Sequence, residues 1–165
     1  MPISIQDILD DPALSTRLVS GAGHAGRILR WAHVCELPEP SQWLGEGELL
    51  MTTGLGIPVG DEAQREYIER LAGARVAGLM LGENMRAPAK LDALYDTAQR
   101  LDFPLLLIHE SVPFSAVARA IIDASKREEQ ERRGAVTRIY ESARMGLRNL
   151  GLEFLLQRLA LDVRA

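Results

Sequence analysis

The sequence lacks most of the features of a metalloprotein, a secreted protein or a membrane protein. It has one cysteine, Cys35, and three histidines among 165 residues, so an internal disulfide is excluded and no zinc or iron–sulfur spacing is present. No apolar run is long enough to span a membrane, and the acidic amino terminus MPISIQDILDD does not have the layout of a secretory signal. These absences predict a cytoplasmic globular protein with no metal, cofactor or membrane partner, in which Cys35 is a buried small hydrophobe.

Basic residues are scarce in the first three quarters of the chain. Residues 1–125 carry 17 acidic against 10 basic side chains, whereas residues 126–165 carry 6 against 9. An acidic body lacks the basic face that supplies most of the affinity for nucleic acid. We therefore expect no DNA contacts within this segment.

Short apolar runs and amphipathic stretches alternate from residue 48 onward. Strands that are apolar throughout and separated by helices are typical of a parallel sheet with right-handed crossovers. The pattern predicts an α/β domain over residues 1–125, with a mainly parallel sheet and crossover helices. The predicted strands are 48–53, 76–82 and 104–110, and the predicted helices between them are 61–74 and 88–102.

The first 36 residues contain weaker signals. Ser4 with Asp7 three residues later resembles a capping box, which predicts a helix over 4–10. Residues 17–21 and 28–36 have the composition of strands and are joined by the glycine-rich turn GAGHAG. We expect either a hairpin or a pair of edge strands.

A helical extension is predicted over 126–165. The tract 125–133 is too polar to be buried and is expected to form a solvated connector, with Glu128–Arg132 and Glu129–Arg133 spaced for ion pairs. Beyond it an apolar stripe needs a partner, which predicts a homodimer formed largely by residues 134–160. The sequence ends without a polar tail, so we expect the chain to continue. The stripe residues are Ile139, Leu147, Leu150, Phe154, Leu155 and Leu159.

The glycine-rich stretch GEGELLMTTGLGIP, residues 45–58, does not fit a phosphate-binding loop. Gly54 is followed by no lysine, and the Gly-x-Gly precedes a strand instead of following one. In open α/β sheets, ligands bind outside the carboxyl ends of the strands. The polar residues there are the candidate ligand site: Thr52, Thr53, Gly54, Glu83, Asn84 and His109.

Simpler roles remain open for several of these residues. Thr52 and Thr53 can serve only to cap a turn, and His109 can be an ordinary surface histidine. Trp43 is the seventh candidate for ligand binding, because Trp43 and Trp31 can stack on a planar heterocycle; the alternative for both is a place in the core. His33 is expected to be a satisfied core or interface histidine.

Catalysis has little support in the sequence. His109 and Ser111 adjoin in the tripeptide HES, but residues so placed at a strand end are expected to point apart, and no nucleophile elbow is present. We assign no catalytic residue.

Three segments together resemble one family. LRWAHVCELPEPSQWLGEGELLMTTG (29–54), LAGARVAGLMLG (71–82) and FPLLLIHESVPFSAVARAII (103–122) are similar to the amino-terminal domain of the purine catabolism regulatory protein (PucR) family of bacterial transcription factors. The resemblance covers residues 5–125. It implies a sensory segment of a longer regulator, with DNA contacted through a helix-turn-helix outside this chain. It also implies a small metabolite effector, with purine breakdown products among the candidates.

Two other classes of protein remain open from the residues alone. One is a small flavodoxin-like enzyme or carrier domain, which a bound flavin would reveal by its visible absorption. The other is an interaction module without a ligand, in which the helical tail dimerises and the α/β body is a scaffold.

Overall fold

The structure is a computed structural model that describes residues 2–149, 156–157 and 160–161. Short 3₁₀ turns at Pro12–Leu14, Ala22–His24 and Pro40–Trp43 separate the early elements. The helices and strands are α1 (Ile5–Asp10), β1 (Thr16–Ser20), β2 (Trp31–Val34), β3 (Glu48–Thr52), α2 (Asp61–Gly73), β4 (Gly78–Gly82), α3 (Asp92–Arg100), β5 (Leu105–Ile108) and α4 (Phe114–Asn149).

The five strands form one sheet in the order β1-β5-β4-β3-β2. Strands β2 to β5 are parallel to their neighbours, and β1 pairs antiparallel with β5. Helix α2 connects β3 to β4, and α3 connects β4 to β5. The predicted α/β class with a mainly parallel sheet and crossover helices is therefore confirmed.

Helices cover both faces of the sheet because its central strands are apolar on both sides. On one face Leu49 and Met80 pack with Ile8 of α1 and Val117 of α4. On the other face the alternate strand residues, such as Leu79, pack against α2 and α3. A fully buried side chain of this size stabilises the fold by about 1.5–3 kcal/mol, so these two clusters supply most of the driving force for folding.

The capping box of α1 forms as expected. The Ser4 hydroxyl accepts from the Asp7 N–H at 3.2 Å, and the Asp7 carboxylate accepts from the Ser4 N–H at 2.7 Å. Hydrogen bonds from the Ser4 hydroxyl and then the Ser4 N–H lower the pKa of Asp7. The helix spans Ile5–Asp10 and buries Ile5 and Ile8 against the sheet.

The prediction of a hairpin between β1 and β2 is wrong, whereas the alternative of two edge strands is right. The two strands lie at opposite edges of the sheet, because β1 takes β5 as its partner and β2 takes β3. The glycine-rich turn begins at Gly21, which has φ 84°. A Cβ at Gly21 would lie 2.4 Å from the backbone of Pro104, so the turn packs directly on the chain that enters β5.

The contacts within the chain divide it into residues 2–124 and residues 125–165. In the second unit the connector side chains are mostly exposed, and Arg133 pairs with Glu129 as expected. Ile139 is partly buried, but Leu150, Phe154, Leu155 and Leu159 lie outside the described residues, as does the side chain of Leu147. In the described part of the chain, no helix is both long and apolar enough to cross a bilayer.

Substitution of Gly21 by alanine should destabilise the fold by about 2–4 kcal/mol, because the new Cβ meets the Pro104 backbone in a left-handed conformation. Gly26, five residues later in the same loop, has open space around its Cβ position and no positive φ. Chemical denaturation of Gly26→Ala should therefore match the wild-type chain to within about 1 kcal/mol. Equal stability of the two variants would contradict the packing of this turn.

Candidate functional site

A groove of about 650 Å³ opens where β4 and β5 end. Five of its lining residues come from the end of β4 and the turn that follows it, and others come from β1, β5 and α3. The groove thus lies at the carboxyl edge of the sheet, where ligands of open α/β folds bind. Its lining comprises Arg17, Leu81, Gly82, Glu83, Asn84, Met85, Ala87, Pro88, Leu91, Tyr95 and Leu107.

An ion pair forms the polar wall of this groove. Arg17 donates from Nε to Oε1 of Glu83 at 2.9 Å, and its Nη2 lies 2.8 Å from the same oxygen as an ion pair. The pairing of strands explains the contact, because Arg17 lies beside Leu107 in β5, and Leu107 lies beside Leu81 in β4. Glu83 is held at the end of β4 by its own N–H, which donates to the carbonyl of Ile108 at 2.9 Å.

Tyr95 of α3 faces the same ion pair. Burial raises the pKa of its phenol, the Arg17 guanidinium opposes that rise, and the Glu83 carboxylate adds to it. Among the described residues, no group forms a hydrogen bond with the Tyr95 hydroxyl. Asn84 lies next to Glu83 in a left-handed turn with φ 55°, exposed to solvent. A phenol hydroxyl, an amide and an ion pair therefore surround one opening.

Thr52 and Thr53 are held by a carboxylate from the segment that follows the neighbouring strand β2. The Thr52 hydroxyl donates to Oε2 of Glu36 and the Thr53 N–H donates to Oε1, both at 2.7 Å. Burial raises the pKa of Glu36, but hydrogen bonds from the Thr53 N–H and the Thr52 hydroxyl outweigh it, and the pKa lies below its ordinary value of 4.5. We call this arrangement the Glu36 clasp.

The chain itself occupies the space next to Gly54. Gly54 has φ 97°, and a Cβ there would lie 2.5 Å from the Cα of Ala87. The N–H of Arg86 donates to the Thr53 carbonyl at 2.9 Å, which holds this segment across the end of β3. The close approach that glycine permits here is thus used by Ala87, whose other side lines the groove.

The predicted candidates therefore separate into two groups. Glu83 and Asn84 line the groove, whereas Thr52, Thr53 and Gly54 lie behind its wall, engaged by Glu36 and Ala87. His109 and Trp43 fall in neither group, because neither belongs to the groove lining. Whether any of the seven residues contacts a ligand stays a prediction.

His109 and Ser111 lie outside the groove lining. The expectation that they point apart is wrong, because the Ser111 hydroxyl lies 2.7 Å from Nδ1 of His109. The Ser111 N–H also donates to that nitrogen at 3.2 Å, so the imidazole folds back over the turn after β5. Both residues are exposed, which suits a local turn contact.

Trp31, Trp43 and Cys35 are more exposed than the buried positions that the sequence suggested for them. Trp31 is 47% exposed on edge strand β2, and Trp43 is 68% exposed at the end of a 3₁₀ turn, so the core alternative is wrong for both. His33 is also on β2, half exposed, with Nε2 3.4 Å from Glu48 Oε2 and its ring edge-on to Trp31. Cys35 is partly buried and packs beside the core on the α2 and α3 side.

Sequence reasoning missed three residues of this region: Arg17, Tyr95 and Glu36. Arg17 was visible as a charged residue within a strand, and such a residue at an edge often faces a polar site. Tyr95 falls at the three- and four-residue spacing of the apolar residues in its helix, which indicates a core position, and its ring does pack beside the core. Glu36 carried no local signal, because its partners lie 16 and 17 residues later in the next strand.

Comparison with known proteins gives the class of this α/β domain. Residues 7–124 match the model of the purine catabolism regulatory protein-like family. That match covers well over half of the chain. The chain belongs to this family, and the resemblance read from residues 29–122 is confirmed.

A curated relative from Paenarthrobacter nicotinovorans is named transcriptional activator PmfR. It is 38% identical over 123 residues, which are 74% of this chain and 26% of the relative. The chain thus spans about a quarter of the length of that relative. The similarity falls within one part of a much longer protein.

Glu36→Gln should weaken the Glu36 clasp, because an amide nitrogen cannot accept from the Thr52 hydroxyl or the Thr53 N–H. We expect a loss of about 1–3 kcal/mol in the free energy of unfolding at pH 7. The lowered pKa of Glu36 means that the stabilisation is complete above the ordinary value of 4.5 and is lost as the pH falls through the lowered value.

Denaturant titrations at pH 7 and at a series of acidic pH values, continued downward until the Glu36 carboxylate is protonated, measure both effects. Glu110→Gln, on an exposed carboxylate after β5, removes the same charge and should change stability by less than about 0.5 kcal/mol. An equal loss in Glu110→Gln, or a Glu36→Gln difference that persists at low pH, would argue against the clasp.

Proposed function

We propose that this chain is the effector-sensing segment of a bacterial transcription regulator and that a small polar metabolite binds in the groove at the carboxyl edge of the sheet. Membership of the purine catabolism regulatory protein-like family supports a role in regulation instead of catalysis. The name of the curated relative, a transcriptional activator, supports the same conclusion. Such a regulator would act in the cytoplasm, where it reaches DNA.

The observation that carries the ligand proposal is the Tyr95 hydroxyl beside the Arg17–Glu83 pair. Among the described residues the Tyr95 hydroxyl has no hydrogen-bond partner and is open to solvent, so a ligand that accepts from Tyr95 and donates to Glu83 would displace no protein contact of that hydroxyl. The rest of the lining is largely apolar and includes Leu81, Leu91 and Leu107. This combination suits a small planar molecule with ring nitrogens or carbonyls, and purine breakdown products have that chemistry.

The groove should bind one member of a panel of purines, ureides, amino acids and organic acids in calorimetry. Tyr95→Phe preserves the ring but removes the hydroxyl, so it should lower the affinity for that ligand by about three- to tenfold. Asn84→Ala should also lower the affinity for that ligand.

Tyr140→Phe is the matched control, since Tyr140 lies on α4 and is 76% exposed. It should leave the affinity unchanged. Equal affinity of the Tyr95→Phe, Asn84→Ala and wild-type chains would show that the ligand binds outside this groove. The absence of any ligand in the panel, with tail-dependent dimerisation intact, would favour the interaction module.

We further propose that α4 dimerises the chain and that DNA is contacted by a domain beyond this segment. Val136 and Tyr140, one helical turn apart, are 62% and 76% exposed. Exposed apolar side chains at this spacing form a stripe that a second copy of the helix can cover. A twofold homodimer would also present two DNA-binding domains to a paired site.

The full chain should sediment as a dimer, whereas a chain ending at residue 125 should sediment as a monomer with an intact far-UV circular dichroism spectrum. Val136→Glu combined with Tyr140→Glu should reduce dimerisation, because it places charges in the stripe. Gln130→Glu, in the exposed connector, adds a charge outside the stripe and should leave the dimer intact. A dimer that survives the truncation would assign the contact to the α/β body.

A further inference from the structure

A second cavity lies at the opposite, amino-terminal edge of the sheet. It has a volume of about 310 Å³, close to the lower limit for small-molecule sites. Arg27 and Arg30 enter it from the segment before β2, and Arg75 enters it from the segment before β4. Glu46 is the one acidic residue in its lining.

This concentration of positive charge runs against the composition of the domain. Residues 1–125 hold 17 acidic and 10 basic residues, yet three of those ten arginines and lysines meet at this single cavity. Three guanidinium groups against one carboxylate leave a local excess of positive charge. Arg30 and Arg75 are exposed, so solvent screens part of their repulsion, and the local excess of positive charge attracts anions.

The three guanidinium groups are weakly engaged by the protein. Nη1 of Arg27 donates to the Val76 carbonyl at 3.4 Å, and Nη2 of Arg75 lies 3.4 Å from Oε1 of Glu46. In the described chain the guanidinium of Arg30 has no hydrogen bond or ion pair, and its stem lies over Gly47. By contrast, Arg65 and Arg100 each hold a carboxylate at 2.8 Å or less. Most of the donors at the cavity therefore remain available to a ligand.

Arg75 occupies a position at which a helix end favours glycine. Helix α2 ends in a Schellman arrangement, in which the Val76 N–H donates to the Leu71 carbonyl and the Arg75 N–H to the Ala72 carbonyl. The residue at this position, Arg75, has φ 60°, a conformation that glycine adopts without strain. Arginine is thus present where local structure alone would prefer another residue.

The remaining wall of the cavity is apolar. Phe103 is buried beneath it, and Ile28 and Leu101 are partly exposed in its lining at 42% and 37%. Inorganic phosphate alone would leave these side chains exposed to solvent. A ligand with both an anionic head and an apolar body would cover them.

We propose that this cavity binds a small organic acid, with its carboxylate held by Arg27, Arg30 and Arg75 and its apolar part against Phe103 and Leu101. Arginine recognises carboxylates through paired N–H donors, and three such groups from two loops can enclose one carboxylate. The site is separate from the groove at the carboxyl edge, and it stands or falls independently of the proposed effector.

Calorimetry on the full chain tests the proposal with benzoate, its neutral analogue benzamide and inorganic phosphate as probes. Benzoate should bind saturably at concentrations up to about 10 mM, and benzamide should bind at least about tenfold more weakly. Arg30→Gln should lower the affinity for benzoate about tenfold or more, because it removes a charged donor that has no other partner among the described residues. Arg119→Gln, an equal loss of charge on the exposed surface of α4, should have no effect.

Arg75→Gly separates binding from folding. It should weaken benzoate about tenfold while leaving Tm unchanged or raising it, since glycine suits the helix end. The proposal is overturned by equal binding of benzoate and benzamide, by wild-type affinity in both arginine variants, or by the absence of saturable benzoate binding. Saturable phosphate binding without benzoate binding would also overturn it, because the apolar wall would then have no role.

Discussion

Burial of β3, β4 and β5 on both faces is the constraint on which the rest of the structure depends. Residues such as Leu49 and Leu50 alternate between two apolar clusters, so each face of the sheet needs a helical layer. The hydrogen-bonding edges of these strands also need partners, and β1 and β2 supply them from opposite sides. With both faces covered, polar chemistry is confined to the two ends of the strands, and that is where both cavities lie.

The two ends of the sheet differ in charge. At the carboxyl edge the charged groups are already matched, since Arg17 pairs with Glu83, and the groove adds neutral donors and acceptors. At the amino edge the three arginines are opposed by Glu46 alone among the lining residues. A neutral heterocycle suits the first end, and an anion suits the second. The two proposed ligands would therefore occupy opposite ends of the sheet and would not compete.

Local patterns in the sequence predicted the layers of the fold but not its long-range pairings. Apolar runs identified β3, β4 and β5 to within two residues, and the helices between them followed from spacing. The prediction of a hairpin between β1 and β2 was wrong because an apolar alternation specifies a strand but not the strand with which it pairs. The pairing of β1 with β5 depends on contacts such as Thr16 with Ile108, which no local window contains.

The candidate site was predictable to the level of the sheet edge and no further. Glu83 and Asn84 were found because they directly follow a strand, and the rule about carboxyl ends applies to them. Thr52 satisfied the same rule, but Glu36 from the segment that follows β2 takes its hydroxyl. Arg17 lines the groove because β1 pairs with β5 in a register that places Arg17 beside Leu107. Arg75 lines its cavity because of the backbone conformation at the end of α2. Such residues are placed by tertiary geometry, which composition and periodicity do not encode.

The order of strands also limits how the domain can fold during its own synthesis. Strand β1 leaves the ribosome first, yet its partner β5 follows about 90 residues later, a delay of roughly 5–20 s at ordinary rates of translation. Until then Leu18 and the other β1 residues have no strand to pair with. In order of synthesis the sheet can therefore assemble from the β2 edge through β3 and β4 to β5, and β1 is the last strand to find its partner.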